Sequence, residues 1–476
     1  MKAENKKLLK NVGALTIGNF ASRFLGLLLI PFYTAVLSTA EYGISDLIIT
    51  TTSLLFPFTS VAISEAIMRF ALDKGTDKKS IYTSGLLIIT AGYILLIAAF
   101  PIMQKTSLQP YLLYFYLYYG FYCLNTITSY FIKGIEKIVA LSVSGIINTA
   151  VVVGCNLLFL LVFKIGIVGY LMSSIIGYAT TFLFLFVKGG LYKYITSPRK
   201  LDGCLLKEML KYSVVIIPNS LSWWIANSSD KYVLNYFVGT SDVGIYSVAY
   251  KIPTIIITIT GIFVSAWHLS AVENFGGEKS KKFFAETYNK FFLLNIAMSA
   301  VLIVSSKLMA YFLYSDEFFV AYKYVPLLVV SCMFDGLASF MGSIYIAAKK
   351  SKMLSISTVL GAAINIALNF ALIPQIGTIG AAISTAISYA FIFLVRIINT
   401  RSLLRFDINY FRDIILLLLL IVEIVLVTID VAITIWISVF VFAICISIVV
   451  FGLRDNLKSA ISIIKKYFTR RTKQND

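Results

Sequence analysis

Histidine occurs once in this chain, at His268, and no GxxxxGK[ST], HExxH or GxSxG pattern is present. That leaves little for hydrolytic or nucleotide chemistry. Cysteine is sparse too: Cys123, Cys155, Cys332 and Cys445 sit in apolar runs and only Cys204 lies in a polar stretch. Neither a disulfide framework nor a metal site is implied. Charge is low as well, since 13% of the 476 residues are Asp, Glu, Lys or Arg while 59% are hydrophobic. Soluble globular domains do not have this balance, so the chain is read as a membrane protein.

What the sequence has instead is a succession of apolar runs of about twenty residues, the length an α-helix needs to cross a bilayer; spanning strands would alternate in segments of about ten. The runs fall at 11–36, 45–68, 81–103, 110–131, 140–162, 166–187, 212–237, 245–270, 291–314, 324–347, 353–374, 378–398, 413–429 and 431–452. An all-α integral membrane fold of about 14 helices follows. The basic start MKAENKKLLK leads into a run that continues past Arg23 to Leu37 without a small-residue cleavage site, so it is read as a retained first span. Of the 41 lysines and arginines, 34 lie in the segments on the N-terminal side of this topology, which places both termini in the cytoplasm. The net charge of +18 is then a topology signal plus attraction to anionic lipid, and nucleic acid is not needed to explain it.

Two short stretches recur. STAEYGI at 38–44 returns as GTSDVGI at 239–245, with Thr39, Gly43 and Ile44 repeated as Thr240, Gly244 and Ile245 and Glu41 replaced by Asp242. KIGIVG at 164–169 returns as QIGTIG at 375–380. Read as loops, the first pair joins spans 1 to 2 and 7 to 8, and the second joins spans 5 to 6 and 11 to 12. The chain therefore divides into two pseudo-symmetric six-helix bundles, 1–200 and 201–400, with two additional helices and a basic cytoplasmic tail in 401–476. Six is even, so the repeats are parallel, an architecture expected of alternating-access transporters.

ASRFLGLLLIPFYTAVLSTAEYGISDL at 21–47 and SDKYVLNYFVGTSDVGIYSVAYKIP at 229–253 resemble the first-helix and seventh-helix regions of the polysaccharide-transport (Wzx-type) oligosaccharide flippase family. KSKMLSISTVLGAAINIALNFALIPQIGTIGAAIST at 350–385 is similar to that family as well, and the resemblance covers most of residues 10–400. It implies the fold of the multidrug/oligosaccharidyl-lipid/polysaccharide exporter (MOP) superfamily. It also implies a non-enzymatic flippase that carries an undecaprenyl-diphosphate-linked oligosaccharide from the inner to the outer leaflet of a bacterial plasma membrane. No cofactor is expected beyond proton or sodium coupling, and a polysaccharide polymerase and chain-length machinery are the candidate protein partners. A multidrug/cation antiporter would share the fold but calls for an acid-lined cavity. A membrane glycosyltransferase or polymerase needs a large extramembrane loop, whereas the longest connection, 188–211, is mostly basic and, though longer than usual, too small for a domain.

Charge inside the spans points to an anionic cargo. Such a residue costs about 2.5 to 3.5 kcal/mol on insertion scales and normally faces the bundle interior or a water-filled cavity. Arg23 lies about 18 Å into span 1, and Lys231 and Lys251 lie roughly 10 Å from the outer surface. These three are the candidate cationic contacts, with Asn19 and Asn227 as candidate contacts for sugar hydroxyls. The structural alternatives are interhelical hydrogen bonds for Arg23 and the asparagines and snorkelling for the two lysines. Asp335, with no basic neighbour within four residues, is a candidate for ion coupling or for an ion pair with a partner helix. Asp230 is the second coupling candidate; it could pair with a lysine, though not with adjacent Lys231, because neighbours diverge around a helix. Glu65 is expected to pair with Arg69 four residues on, and Glu423 to make a contact within the appended helix pair.

Overall fold

The computed structural model describes residues 26–73, 75–276, 279–429 and 431–453, and among them there is no strand. Helices arise where the apolar runs predict them, since a backbone without water must satisfy its own polar groups. In chain order they are α1 (Ile30–Val36), α2 (Thr39–Thr59), α3 (Ile63–Ala71), α4 (Lys78–Ala98), α5 (Leu112–Gly134), α6 (Ile138–Asn156), α7 (Gly166–Lys188), α8 (Gly203–Val214) and α9 (Ile217–Phe237). There follow α10 (Thr240–Ala249), α11 (Thr254–Glu273), α12 (Ser280–Val304), α13 (Ser306–Leu313), α14 (Val325–Ala347), α15 (Ser351–Thr400), α16 (Tyr410–Ile429) and α17 (Ala432–Gly452). Each of the fourteen expected spans has a helical counterpart here, the first only in its described part. By length and composition alone, 7 described helices could cross a membrane, or up to 8 with α2 and α3 taken together.

The departures have local causes. Span 2 is broken: α2 and α3 are bent by 64°, and Val61 and Ala62 between them have left-handed φ of 51° and 50°. Pro57 sits in the last turn of α2, where its missing N–H already weakens the ladder. The 50 residues of α15 are two helices meeting at Gly377, whose φ of 59° and ψ of −138° are open to glycine. The connection at 188–211 contains two 3-10 turns and the start of α8, and α12 begins eleven residues before the expected start of span 9.

STAEYGI is not the loop it resembles, and neither is GTSDVGI: α2 starts at Thr39 and α10 at Thr240. Ser38 and Glu41 form a capping box, with the Ser38 hydroxyl accepting from the Glu41 N–H at 3.3 Å and the Glu41 carboxylate accepting from the Ser38 N–H at 2.9 Å. A Ser-x-x-Glu pattern before an apolar run is the sequence sign of such a start.

The repeated stretches also touch one another in matching ways. Glu41 accepts the N–H of Ile167 at 3.4 Å, and Asp242 accepts the hydroxyl of Thr378 at 2.6 Å. Ile167 and Thr378 hold the same place in KIGIVG and QIGTIG, each directly after a positive-φ glycine, Gly166 at 55° and Gly377 at 59°. Each half thus ties its first repeated stretch to its second through an acidic side chain. The first stretches meet each other too. A Cβ on Gly43 would lie 1.9 Å from the carbonyl oxygen of Thr240, and one on Gly244 would lie 2.0 Å from that of Thr39. Only glycine permits this reciprocal backbone approach.

The molecule gathers into two compact units: Met1–Val248 with Phe312–Val320 and Ala362–Ser384, and Ala249–Tyr311 with Ala321–Gly361 and Thr385–Asp476. The first has Tyr82, Phe115, Tyr119 and Phe131 fully buried on α4 and α5. The second is built around Trp267, whose ring stacks on Phe340 at 4.7 Å, with Phe263 stacked on Phe291 at 4.4 Å. On α17, Trp436, Phe440 and Phe451 remain exposed, the surface that lipid would cover.

Candidate functional site

In the first unit a polar seam runs between α2 and α9. The Lys231 ammonium lies 2.7 Å from Asp46, with the two side chains 16% and 13% exposed. One turn along α2, Thr50 donates to Asp46 at 3.4 Å. The indole N–H of Trp224 donates to the Thr50 carbonyl and to the Ser53 hydroxyl, both at 3.2 Å. Tyr232 and Thr51 are joined through their hydroxyls. Thr51 and Tyr232 also line an open cavity of about 420 Å³ together with Leu54, Asn235, Tyr236 and Lys105.

Lys231 is therefore not a bare cation: Asp46, which the sequence reading passed over, compensates it. An anion approaching this amine must compete with a carboxylate. Asp230 points elsewhere, accepting the hydroxyl of Tyr246 at 2.5 Å and the N–H of Lys231 at 2.9 Å. As expected of neighbours on a helix, the two side chains diverge. Ser229 donates to Asn365 at 3.1 Å and Asn369 donates to the same oxygen at 2.9 Å, so these asparagines bond within the protein. Asn227 is half-buried on α9. Asn19 and Arg23 lie outside the described residues.

In the second unit the charged centre is Arg396, buried at 6% exposure on the second segment of α15. Its guanidinium donates to Ser357 at 2.9 Å, to the Ala338 carbonyl at 2.8 Å and to Thr358 at 3.0 Å. Gly342 leaves the space, since a Cβ there would lie 3.1 Å from a guanidinium nitrogen. Asp335, half-buried one turn before Ala338 on α14, lies in electrostatic reach of Arg396. A basic neighbour for Asp335 thus comes from a partner helix. Arg396, inside the run 378–398, is not among the charged span residues picked out from the sequence, although the surrounding FIFLVRII marks it as one. Lys251 occupies the turn between α10 and α11, half-buried, without an ion pair among the described residues.

Two smaller expectations change. Arg69 bridges Asp73 at 2.7 Å rather than Glu65, choosing the acid four residues later, while Glu65 lies in electrostatic reach of Tyr130 on α5. Outside the spans, Asp77 caps α4 by accepting from Lys79 and Ser80. The Ser80 hydroxyl at 2.8 Å is the main reason that its carboxyl is held below the usual carboxylate range.

A helical chain with charged side chains held between its apolar helices has the construction of a multi-pass membrane protein. Solved structures share the fold. The lipid II flippase MurJ in an inward closed conformation matches with a TM-score of 0.69 at 17% identity, over 93% of this chain and 99% of that one. An inward-facing multidrug resistance MATE family transporter of the MOP superfamily matches with a TM-score of 0.63 at 14% identity, over 80% and 95%. A MOP superfamily transporter from Pyrococcus furiosus matches with a TM-score of 0.58 at 16% identity, over 83% and 96%. No curated protein matches the sequence significantly. Residues 8–268 match the family described as "Polysaccharide biosynthesis protein", and the chain belongs to that family.

Proposed function

We propose that the protein is a flippase that moves an undecaprenyl-diphosphate-linked oligosaccharide from the inner to the outer leaflet of a bacterial plasma membrane, by alternating access of its two six-helix halves. The observation that carries this reading is the joining of a polysaccharide-biosynthesis family match to a fold shared with MurJ over 93% of the chain. Both termini lie in the cytoplasm in this proposal. Arg23 and Lys251 contact the diphosphate, and Lys231 joins them when Asp46 is displaced. Asn19 and Asn227 meet sugar hydroxyls. Asp335 and Asp230 couple the cycle to protons or sodium ions, with Arg396 acting on Asp335. A polymerase and chain-length machinery would receive the product.

The test is translocation of a lipid-linked oligosaccharide in proteoliposomes, normalised to folded protein. Arg23→Ala is expected to abolish most of it and Arg23→Lys only part, because a guanidinium gives phosphate two parallel hydrogen bonds and an ammonium does not. Asp335→Asn is expected to stay folded and lose its dependence on an imposed proton or sodium gradient. Wild-type protein that leaves the lipid in place while exporting cationic drugs would favour the antiporter reading, which the MATE likeness supports.

A further inference from the structure

Among the described residues the buried charges are answered, with one exception. Asp46 meets Lys231, Asp230 meets Tyr246, and Arg396 has several acceptors. Asp413 accepts from Arg412 at 2.6 Å and from Tyr288 at 3.3 Å. Glu423 departs from the pattern: it is fully buried, and neither carboxyl oxygen has a hydrogen-bond partner. It shares the buried face of α16 with Leu416, Leu420 and Ile424, about 20 Å along the helix from Tyr410.

The helices packed against α16 supply no counter-charge. Cys445 is the only titratable residue of α17, and it lies beside Glu423. Residues 291–304 of α12 include none, and neither Asp335 nor Cys332 of α14 acts on it. A metal cation would need several oxygen ligands, and no group of three or more His, Cys, Asp or Glu that could hold one occurs among the described residues. A proton needs only one carboxyl oxygen. It also removes the charge whose burial is unfavourable.

We propose that Glu423 is a proton-binding carboxyl, carried as COOH between α16, α12 and α17 and outside the twelve duplicated helices. Release of the proton as H⁺ would leave a carboxylate with bare oxygens, so it requires this packing to loosen or water to enter. Proton binding at this place is thereby linked to the seating of the appended helix pair, whichever cargo the bundles carry.

The experiment is infrared spectroscopy of the purified full-length protein in lipid films at neutral pH. The wild type should show a protonated-carboxyl C=O stretch that shifts in D₂O and is absent from Glu423→Gln. Glu423→Asp, a second variant in case the first fails to fold, should move this band. Identical carboxyl regions in the wild type and a folded variant would overturn the proposal. So would a Glu423 carboxylate band that responds to removal of sodium, since the ligand would then be a metal cation.

Discussion

Gly43→Ala tests the contact between the repeated stretches. The new Cβ would sit 1.9 Å from the Thr240 oxygen and 2.9 Å from the Gly244 nitrogen, where ordinary contact starts at 3.4 Å. Both obstacles are backbone, so no rotamer change relieves them. The N-termini of α2 and α10 must part by about 1.5 Å, and overpacking of this kind costs about 1 to 3 kcal/mol. At about 2 kcal/mol the ratio of folded to unfolded protein falls roughly 30-fold. The assay is the fraction surviving a heating series, read by size exclusion in detergent. Gly154→Ala is the control, because its Cβ meets nothing within 4 Å and a helix-interior alanine is favourable by up to about 1 kcal/mol. Gly244→Ala should match Gly43→Ala, and the double variant should cost less than the two single costs together, since one separation relieves both clashes. Gly43→Ala as stable as Gly154→Ala, or strict additivity of the pair, would refute the reciprocal contact.

Lys231→Met should destabilise the protein by about 2 to 3 kcal/mol by leaving Asp46 uncompensated, somewhat below the range for a fully buried pair. Adding Asp46→Asn should recover at least half in the same assay; no recovery would mean that the lysine matters for something other than Asp46. Asp77→Ala should cost about 1 kcal/mol through the lost cap of α4. Because the Asp77 carboxyl is held below its ordinary range, its ionic contribution is present at neutral pH and fades as the pH falls through that lowered value. The gap between wild type and Asp77→Ala should narrow in acid, and a gap independent of pH would assign the cap to the neutral side chain.

The helices were legible because hydropathy and run length fix a bilayer-spanning helix with little help from tertiary packing. The interruptions were less so. Ser38 and Glu41 carried a readable capping signal, yet the polar look of STAEYGI concealed a helix start. The break at Val61 and Ala62 depends on left-handed backbone at residues that do not advertise it. Charge partners were the least visible. Asp46 and Lys231 are 185 residues apart in sequence, as are other members of the seam by similar distances, and only packing brings them together. Arg396 was missed because a basic residue near a span end counts toward topology even when it turns inward. The recurrence of the short stretches was readable from a few identities, and its physical reason is the Glu41 and Asp242 ties and the glycine approach.

That approach bears on how the two halves came to differ. A stretch that packs on its own likeness is self-complementary, so two separate copies of a half could associate there as an isologous pair. In such a dimer every side chain is placed twice, and a charge introduced on one side must be compensated on the other. Joining the copies in one chain removes that restriction. Asp46 pairs with Lys231, while the position 201 residues after Asp46 holds Ser247, a neutral side chain. The ion pair is a one-sided feature on a two-sided frame, and only a fused duplicate can hold it without paying for a second.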